Sequence, residues 1–365
     1  MSAPELTLTL TTTSERDVFC RPKQLLYPDY NENDGLIVPP NLNVLPNPIH
    51  RPNYARHFRI IHEHDAKIIG FRSIITSDEK FFVDESEADN FSYRRLFAKF
   101  SDGQNEECDF VERDGSVSGL FDPDPIVIEQ PVIFVGSDEP SNFGSWLYRI
   151  IPKLIDAPYR DFPVLVYNNA PWMTGLIGRM FGGNVSFVNH WPRRGYVLRD
   201  ALIPTLRNVD VYFDEEVRSF YKYSASMVDG KSPLEKIYLS RRGQKLRPLL
   251  NEAELEDRLV GSGFSIVRPE TMSITDQIRT IRDARIIVCP GGSGLFPMVF
   301  ATSAEFILDL EAGPEWVFAH HNLLRSTARR HTILFGTRVE GTQSPHASWR
   351  VDVDAVMTAL AYGAG

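Results

Sequence analysis

Arginines and glycines carry most of the chemistry visible between positions 240 and 294. Ser240-Arg241-Arg242-Gly243 is followed by Arg247, by Arg268-Pro269-Glu270, and by Pro290-Gly291-Gly292-Ser293-Gly294. A glycine turn that opens a helix aims backbone N–H groups outward and can hold a phosphate or pyrophosphate. Arginine suits the same ligand, because its fork bonds oxygens in pairs and keeps its charge. Arg241, Arg242 and Arg247 with the turn Gly291, Gly292, Ser293 and Gly294 therefore form a candidate diphosphate cradle that needs no metal. The competing reading is a tight turn among solvated arginines, since a lone glycine turn carries little weight. Turn and arginines together, at successive strand ends, favour the cradle. Glu270 could bind hydroxyls or an arginine, and Glu311 closes a strand at a place where acidic residues bind ribose or sugar hydroxyls.

These residues need a scaffold, and the flanking sequence supplies one. Apolar runs at 236–240, 264–267, 285–289, 305–310 and 331–335 predict strands. Helical spacing predicts helices at 251–260, at 273–282 with Ser273 as N-cap, after Gly294, and at 316–330 and 351–361. Strands alternating with helices imply βαβ units and a parallel sheet, whose ligands settle at the carboxyl edge. A second alternation lies upstream, with strands at 131–135, 164–167 and 184–188 and helices at 143–155, 171–181 and 214–227. Pro152 would kink the first of these helices.

The order Tyr238-Leu239-Ser240-Arg241, Arg247, Asn251-Glu252, Gly263-Phe264, Pro269-Glu270, Gln277-Ile278, Ala284 and Gly291-Gly292-Ser293-Gly294-Leu295 resembles glycosyltransferase family 61. The resemblance extends from about residue 63 to the C-terminus, with its specific motifs at 238–300. It implies a GT-B-like α/β fold of two Rossmann-like lobes facing a cleft. It also implies inverting transfer of a sugar from a nucleotide-sugar donor to a carbohydrate or other hydroxyl acceptor, in polysaccharide or glycoconjugate biosynthesis. No cofactor beyond the donor and no metal are implied. Glu311 matches an acidic family position, which favours donor contact.

Two positions depart from the family pattern. Gly291 stands where the turn usually has histidine, and Ser145 replaces the histidine of the upstream motif, here Asn142-Phe143-Gly144-Ser145-Trp146-Leu147. The nearest carboxylates upstream are Asp138 and Glu139, either of which could accept the proton of an attacking hydroxyl. The competing reading is a solvated loop carboxylate or a helix-start charge. Asn142, Ser145 and Trp146 fall on the acceptor side. Ser145 alone cannot act as base, and Trp146 on an apolar face reads as core before it reads as a sugar platform.

The implied organisation is an N-terminal arm and β-rich extension (1–125), an acceptor-side lobe (126–230), a donor-side lobe (231–345) and a C-terminal helix (346–365) crossing back to the first lobe. Short strands are expected at 59–61, 66–69, 73–76 and 81–83, and the acidic run 84–89 reads as a solvated loop. His57, His62 and His64 cluster here. His62 and His64 would share a strand face and could bind metal, but no third ligand follows at fixed spacing, so surface histidines are preferred.

Composition narrows the function classes. The 365 residues carry a net charge of −9 and 42% hydrophobic residues. That charge argues against nucleic acid and anionic membrane surfaces as main partners. No apolar run reaches transmembrane length. The opening residues lack a signal-peptide pattern, and Cys20, Cys108 and Cys289 lack metal-ligand spacing, which together suit a cytoplasmic protein. The arm could pack on the body or on a second copy in a homo-oligomer. Two alternatives stand beside the transferase. One is a degenerate, sugar- or nucleotide-binding subunit, motivated by the missing histidines. The other is a dinucleotide oxidoreductase, for which the full G-x-G-x-x-G spacing is missing.

Overall fold

In the computed structural model, residues 5–11, 17–20, 35–47, 58–82, 111–113, 116–137, 139–183, 185–207, 211–327, 330–339, 344 and 346–364 are described. The run 84–89 and His57 lie outside them. The chain divides into two compact units, 1–24 with 54–209 and 25–53 with 210–365. Both combine helices with parallel strands, which is the α/β class read from the sequence.

The first unit holds one sheet of β1 (Glu5–Thr11), β2 (Asp17–Cys20), β3 (Arg59–Ile69), β4 (Ser73–Ile75), β5 (Lys80–Phe82), β6 (Val111–Arg113), β7 (Ser116–Leu120), β8 (Ile126–Ile128), β9 (Val132–Val135), β10 (Val164–Val166), β11 (Phe187–Asn189) and β12 (Tyr196–Pro204). Its parallel part runs β11-β10-β9-β12, so the strand order reverses at β9 as in half of a doubly wound sheet. The strands expected at 59–61 and 66–69 are one strand of 11 residues. Asp65 sits at φ 53° within it, yet pairing with β12 continues on both sides, Leu198 opposite Ala66 and Asp200 opposite His64. Because β3 pairs with β12, the N-terminal strands are not a separate extension; they share the sheet. Ile61, Ile68, Phe134, Leu165, Leu198 and Ile203 form its apolar core.

Helix α1 covers 143–154, and α2 is Pro171–Phe181. The apolar positions Trp146, Leu147, Ile150, Ile151 and Leu154 are all fully buried, as their spacing requires. Trp146–Ile150 winds as a π-helical turn, with the Ile151 amide donating to Trp146. Pro152 has no N–H for Tyr148, and the wider turn precedes the residue that cannot donate.

The second unit is built on β13 (Lys236–Leu239), β14 (Ser265–Val267), β15 (Ile286–Pro290), β16 (Phe306–Glu311) and β17 (His331–Phe335), all parallel, in the order β14-β13-β15-β16-β17. The order switches between β13 and β15, where open α/β sheets bind ligands. Its helices are α3 (Glu215–Ser226), α4 (Glu252–Gly261), α5 (Ile274–Asp283), α6 (Val317–Thr327) and α7 (Val353–Ala364). Ser273 caps α5 by accepting from the Asp276 amide (3.1 Å), as read from the sequence. Asp214 caps α3 in the same way through Val217 (2.9 Å). Every residue of β16 is buried, as in a strand covered on both faces. Each fully buried Val, Leu or Ile here contributes about 1.5–3 kcal/mol.

Residues 35–47 pad the β17 edge. The Ile37 amide donates to His331 (2.7 Å) and Leu45 to Ile333 (3.0 Å), and Val44 joins the core. The helix α7 buries Val356, Ala359 and Leu360 in the same core. The segment after Gly292 differs from the α-helix expected, because Ser293–Phe300 is 3-10. Pro297 has no N–H for the Ser293 carbonyl, so an unbroken α-helical ladder cannot run through this segment.

Candidate functional site

The carboxyl ends of β13 and β15 bring the predicted cradle together. Arg241 lies two residues past the end of β13, and its Nη1 donates to the Gly291 carbonyl (2.6 Å) while Nη2 donates to Leu246 (3.1 Å). Arg247 stands in the left-handed region (φ 53°) and lays its guanidinium over the Trp316 ring at 4.6 Å. Both guanidinium groups converge on Gly292. A Cβ at that residue would lie 2.5 Å from Arg241 Nη1 and 3.2 Å from Arg247 Cζ. Gly292 also has φ 122° and ψ −157°, a conformation open essentially to glycine alone. Burial first, and then the neighbouring Arg241 charge, lowers the Arg247 pKa.

The turn's own amides divide into two groups. The Gly291 amide donates to Leu310 (2.8 Å) and the Leu295 amide to Gly292 (2.9 Å). The amides that open the 3-10 segment have no acceptor within it. Ser293 and Gly294 are half-buried at this end.

Beside the turn sits a buried polar cluster. Glu311, at the end of β16, hydrogen-bonds Nδ1 of His320 on α6, and Asp309 lies 3.7 Å from the same nitrogen. Asp309 is fully buried, and among the described residues neither carboxylate oxygen has a hydrogen-bond partner. Burial, then the Glu311 charge, pushes its carboxyl well above the usual range. Ligand atoms of Asp309, Glu311 and His320 lie within 4.8 Å of one another, close enough to hold a cation. Sequence reasoning placed Glu311 at the donor site and assigned no role to Asp309 or His320. The available signal was an acid interrupting an otherwise apolar strand, Phe306-Ile307-Leu308-Asp309.

Two more missed residues hold the arginine loop. Glu252 is buried and accepts from Tyr238 Oη (2.9 Å), Ser240 Oγ (3.2 Å) and the Arg241 amide (2.6 Å). Glu256, one turn on, accepts from Ser240 Oγ (2.6 Å) and Arg242 Nη1 (3.1 Å), with Arg268 Nη2 at 3.7 Å. Burial and the Glu252 charge raise the Tyr238 pKa well above its ordinary value. These acids share a helix face with buried Leu255 and Leu259, a pattern readable in the sequence as acids on an apolar stripe. Arg242 is exposed, and Glu270 is exposed on the 3-10 turn Pro269–Thr271.

The first unit places the upstream residues around the carboxyl end of β9. Asp138 lies outside the described residues. Glu139 is half-exposed, with Arg149 Nη1 3.7 Å from its Oε2. Asn142 caps α1, its Oδ1 accepting from the Gly144 amide (2.8 Å). Ser145 is buried and shares a hydrogen bond with Ser137 Oγ (2.7 Å). Trp146 is fully buried, with Nε1 donating to Pro140 (2.6 Å), so its ring belongs to the core. Lys153, also buried, donates to the Gly136 carbonyl (2.7 Å) and ties the loop after β9 to α1.

Among the described residues, no helix is long and apolar enough to cross a membrane. No curated protein matches the chain. Residues 143–307, from the start of α1 through β13, β15 and the glycine turn into β16, match the family model of glycosyltransferase 61, which bears out the family resemblance of the sequence.

Proposed function

We propose that the chain is an inverting glycosyltransferase that moves a sugar from a nucleotide-diphosphate donor to a hydroxyl acceptor in glycan assembly. One observation carries the reading. Arg241 and Arg247 are held side by side against Gly292 at the strand-order switch of a parallel sheet. Two like charges in a half-buried place repel each other, and a bound diphosphate relieves that repulsion.

In this reading the acceptor oxygen attacks the anomeric carbon as the bond from that carbon to the diphosphate breaks. The hydroxyl proton passes to a carboxylate, Glu139 or Asp138. The nucleoside diphosphate departs with new negative charge met by Arg241, Arg247 and the amides of Gly292, Ser293 and Gly294, with Arg242 at the rim. Glu311 and Glu270 meet hydroxyls of the donor. Asn142 and Ser145 shape the acceptor side by fixing the start of α1. Donor on the second unit and acceptor on the first is the division of labour of a GT-B enzyme.

The test is a titration of nucleoside diphosphates, with nicotinamide dinucleotides as controls, followed by turnover with the matching nucleotide sugars. Saturable binding of the diphosphates, and product of inverted anomeric configuration by NMR, are expected. A preference for the dinucleotides would overturn the donor assignment. Diphosphate binding with neither transfer nor hydrolysis would overturn the enzymatic assignment.

A further inference from the structure

The sheet of the first unit brings together three side chains that no reading of the donor site uses. His62 and His64 occupy alternate positions of β3 and so share one face of the strand. Asp200 on the antiparallel neighbour β12 is directly opposite His64. Its Oδ1 contacts Nε2 of His62 and lies 3.8 Å from Nδ1 of His64, and the two imidazole rings are 4.6 Å apart. All three ligand atoms fall within 4.8 Å of one another. His62 and Asp200 are half-buried and His64 is exposed, so a hydrated ion can reach the group.

We infer that His62, His64 and Asp200 form a binding site for a borderline divalent transition metal such as zinc. Imidazole nitrogen and carboxylate oxygen at about 2.0–2.2 Å are ordinary zinc ligands. Ligand atoms around one such ion stand about 3–4 Å apart, inside the 4.8 Å spread of these three. Two nitrogens and one oxygen favour zinc, cobalt, nickel or copper over the hard cations, which prefer all-oxygen sets. Three ligands on one face leave positions for water. The ion staples β3 to β12, the pairing that joins the N-terminal strands to the parallel strands. This site is independent of the proposed transferase reaction, since its three ligands all belong to the first unit's β3 and β12.

The experiment uses the full chain without an affinity tag, stripped with EDTA and desalted. Zinc and cobalt are titrated by calorimetry and by the visible absorption of cobalt, with magnesium and calcium as controls. One equivalent is expected to bind with micromolar or tighter affinity, with a cobalt spectrum of mixed nitrogen and oxygen ligation. Zinc should also raise the melting temperature. The double variant His62→Ala/His64→Ala and the single variant Asp200→Asn should each lose at least about tenfold in affinity. His64 is exposed and His62 and Asp200 are half-buried, and circular dichroism verifies that both variants fold. Absence of zinc binding, an unchanged affinity in the double variant, or magnesium binding as tight as zinc would overturn the site and leave a surface hydrogen bond. None of these outcomes depends on nucleoside diphosphates, so the donor-site reading stands or falls separately.

Discussion

The Glu311 carboxylate occupies the space that a side chain at position 291 would need. A Cβ on Gly291 would lie 2.5 Å from Glu311 Cδ and 2.8 Å from Oε2. The histidine that the family pattern leads one to expect in the turn therefore has no room. An imidazole meets Glu311 from α6 instead, as His320. Gly291→Ala should push the carboxylate off His320 and strain a closely packed site, costing about 1–3 kcal/mol. Urea melts measure that cost, and a nucleoside-diphosphate titration should show weaker binding in parallel. Wild-type stability in the variant would show that Glu311 has somewhere else to go.

Arg241 contributes a fork as well as a charge. Its two terminal nitrogens bond the carbonyls of Gly291 and Leu246, which fixes the guanidinium plane beside the turn. Arg241→Lys keeps the charge and loses the fork, so donor affinity or turnover should fall about tenfold, near 1.4 kcal/mol. Arg241→Ala should lose more, while the two freed carbonyls reduce stability by only about 1 kcal/mol. Calorimetric donor binding alongside thermal melts separates the two effects. An unchanged dissociation constant in Arg241→Ala would remove this residue from the cradle.

Glu252 sets the backbone from which Arg241 projects. Glu252→Ala leaves the Tyr238 hydroxyl, the Ser240 hydroxyl and the Arg241 amide without their acceptor in a buried place. Such groups cost about 1–3 kcal/mol each when orphaned, so a loss above about 3 kcal/mol is expected. Glu252→Gln retains an acceptor oxygen and should cost less. In both, the donor KM should rise in step with the disturbance of Arg241. Equal stability of the two variants would show that the acceptor oxygen is not what matters.

The sequence made the donor side of the second unit legible because its signals are local. Ile286-Ile287-Val288 is a continuous apolar run, Ser273 stands three residues before Asp276, and Gly292 marks a backbone that other residues cannot adopt. What stayed hidden depends on pairing between distant segments. Nothing near Gly291 announces His320, which arrives on another helix. The third member of the His62 and His64 group escaped for the same reason. Asp200 becomes their neighbour only through the β3–β12 register, and Arg199-Asp200 interrupts the apolar run that would have announced β12. Register is set by whole-strand burial, which no short window contains. Glu252 and Glu256 were visible as acids four residues apart on one helix, whereas their burial beneath the arginine loop was not.

His190 gives the first unit an acid sensitivity. Its ring is buried between Phe134 and Tyr196, with centroids at 5.4 and 5.2 Å, and among the described residues neither ring nitrogen has a hydrogen-bond partner. Burial lowers its pKa from 6.5 to about 3. The folded chain thus keeps this imidazole neutral, while the unfolded chain protonates it below pH 6.5. Between about pH 3 and 6.5 the unfolded state binds the extra proton, so the contribution to stability rises with pH and is lost on acidification. At pH 5.0 the loss is roughly 2 kcal/mol, from about 1.4 kcal/mol per unit. In His190→Phe the ring stays apolar and cannot take up a proton, so the stability difference between pH 7.5 and 5.0 should shrink by about that amount. Urea unfolding of both proteins at the two pH values measures the change. The same pH dependence in the variant would show that the buried imidazole is not what makes the fold acid-labile.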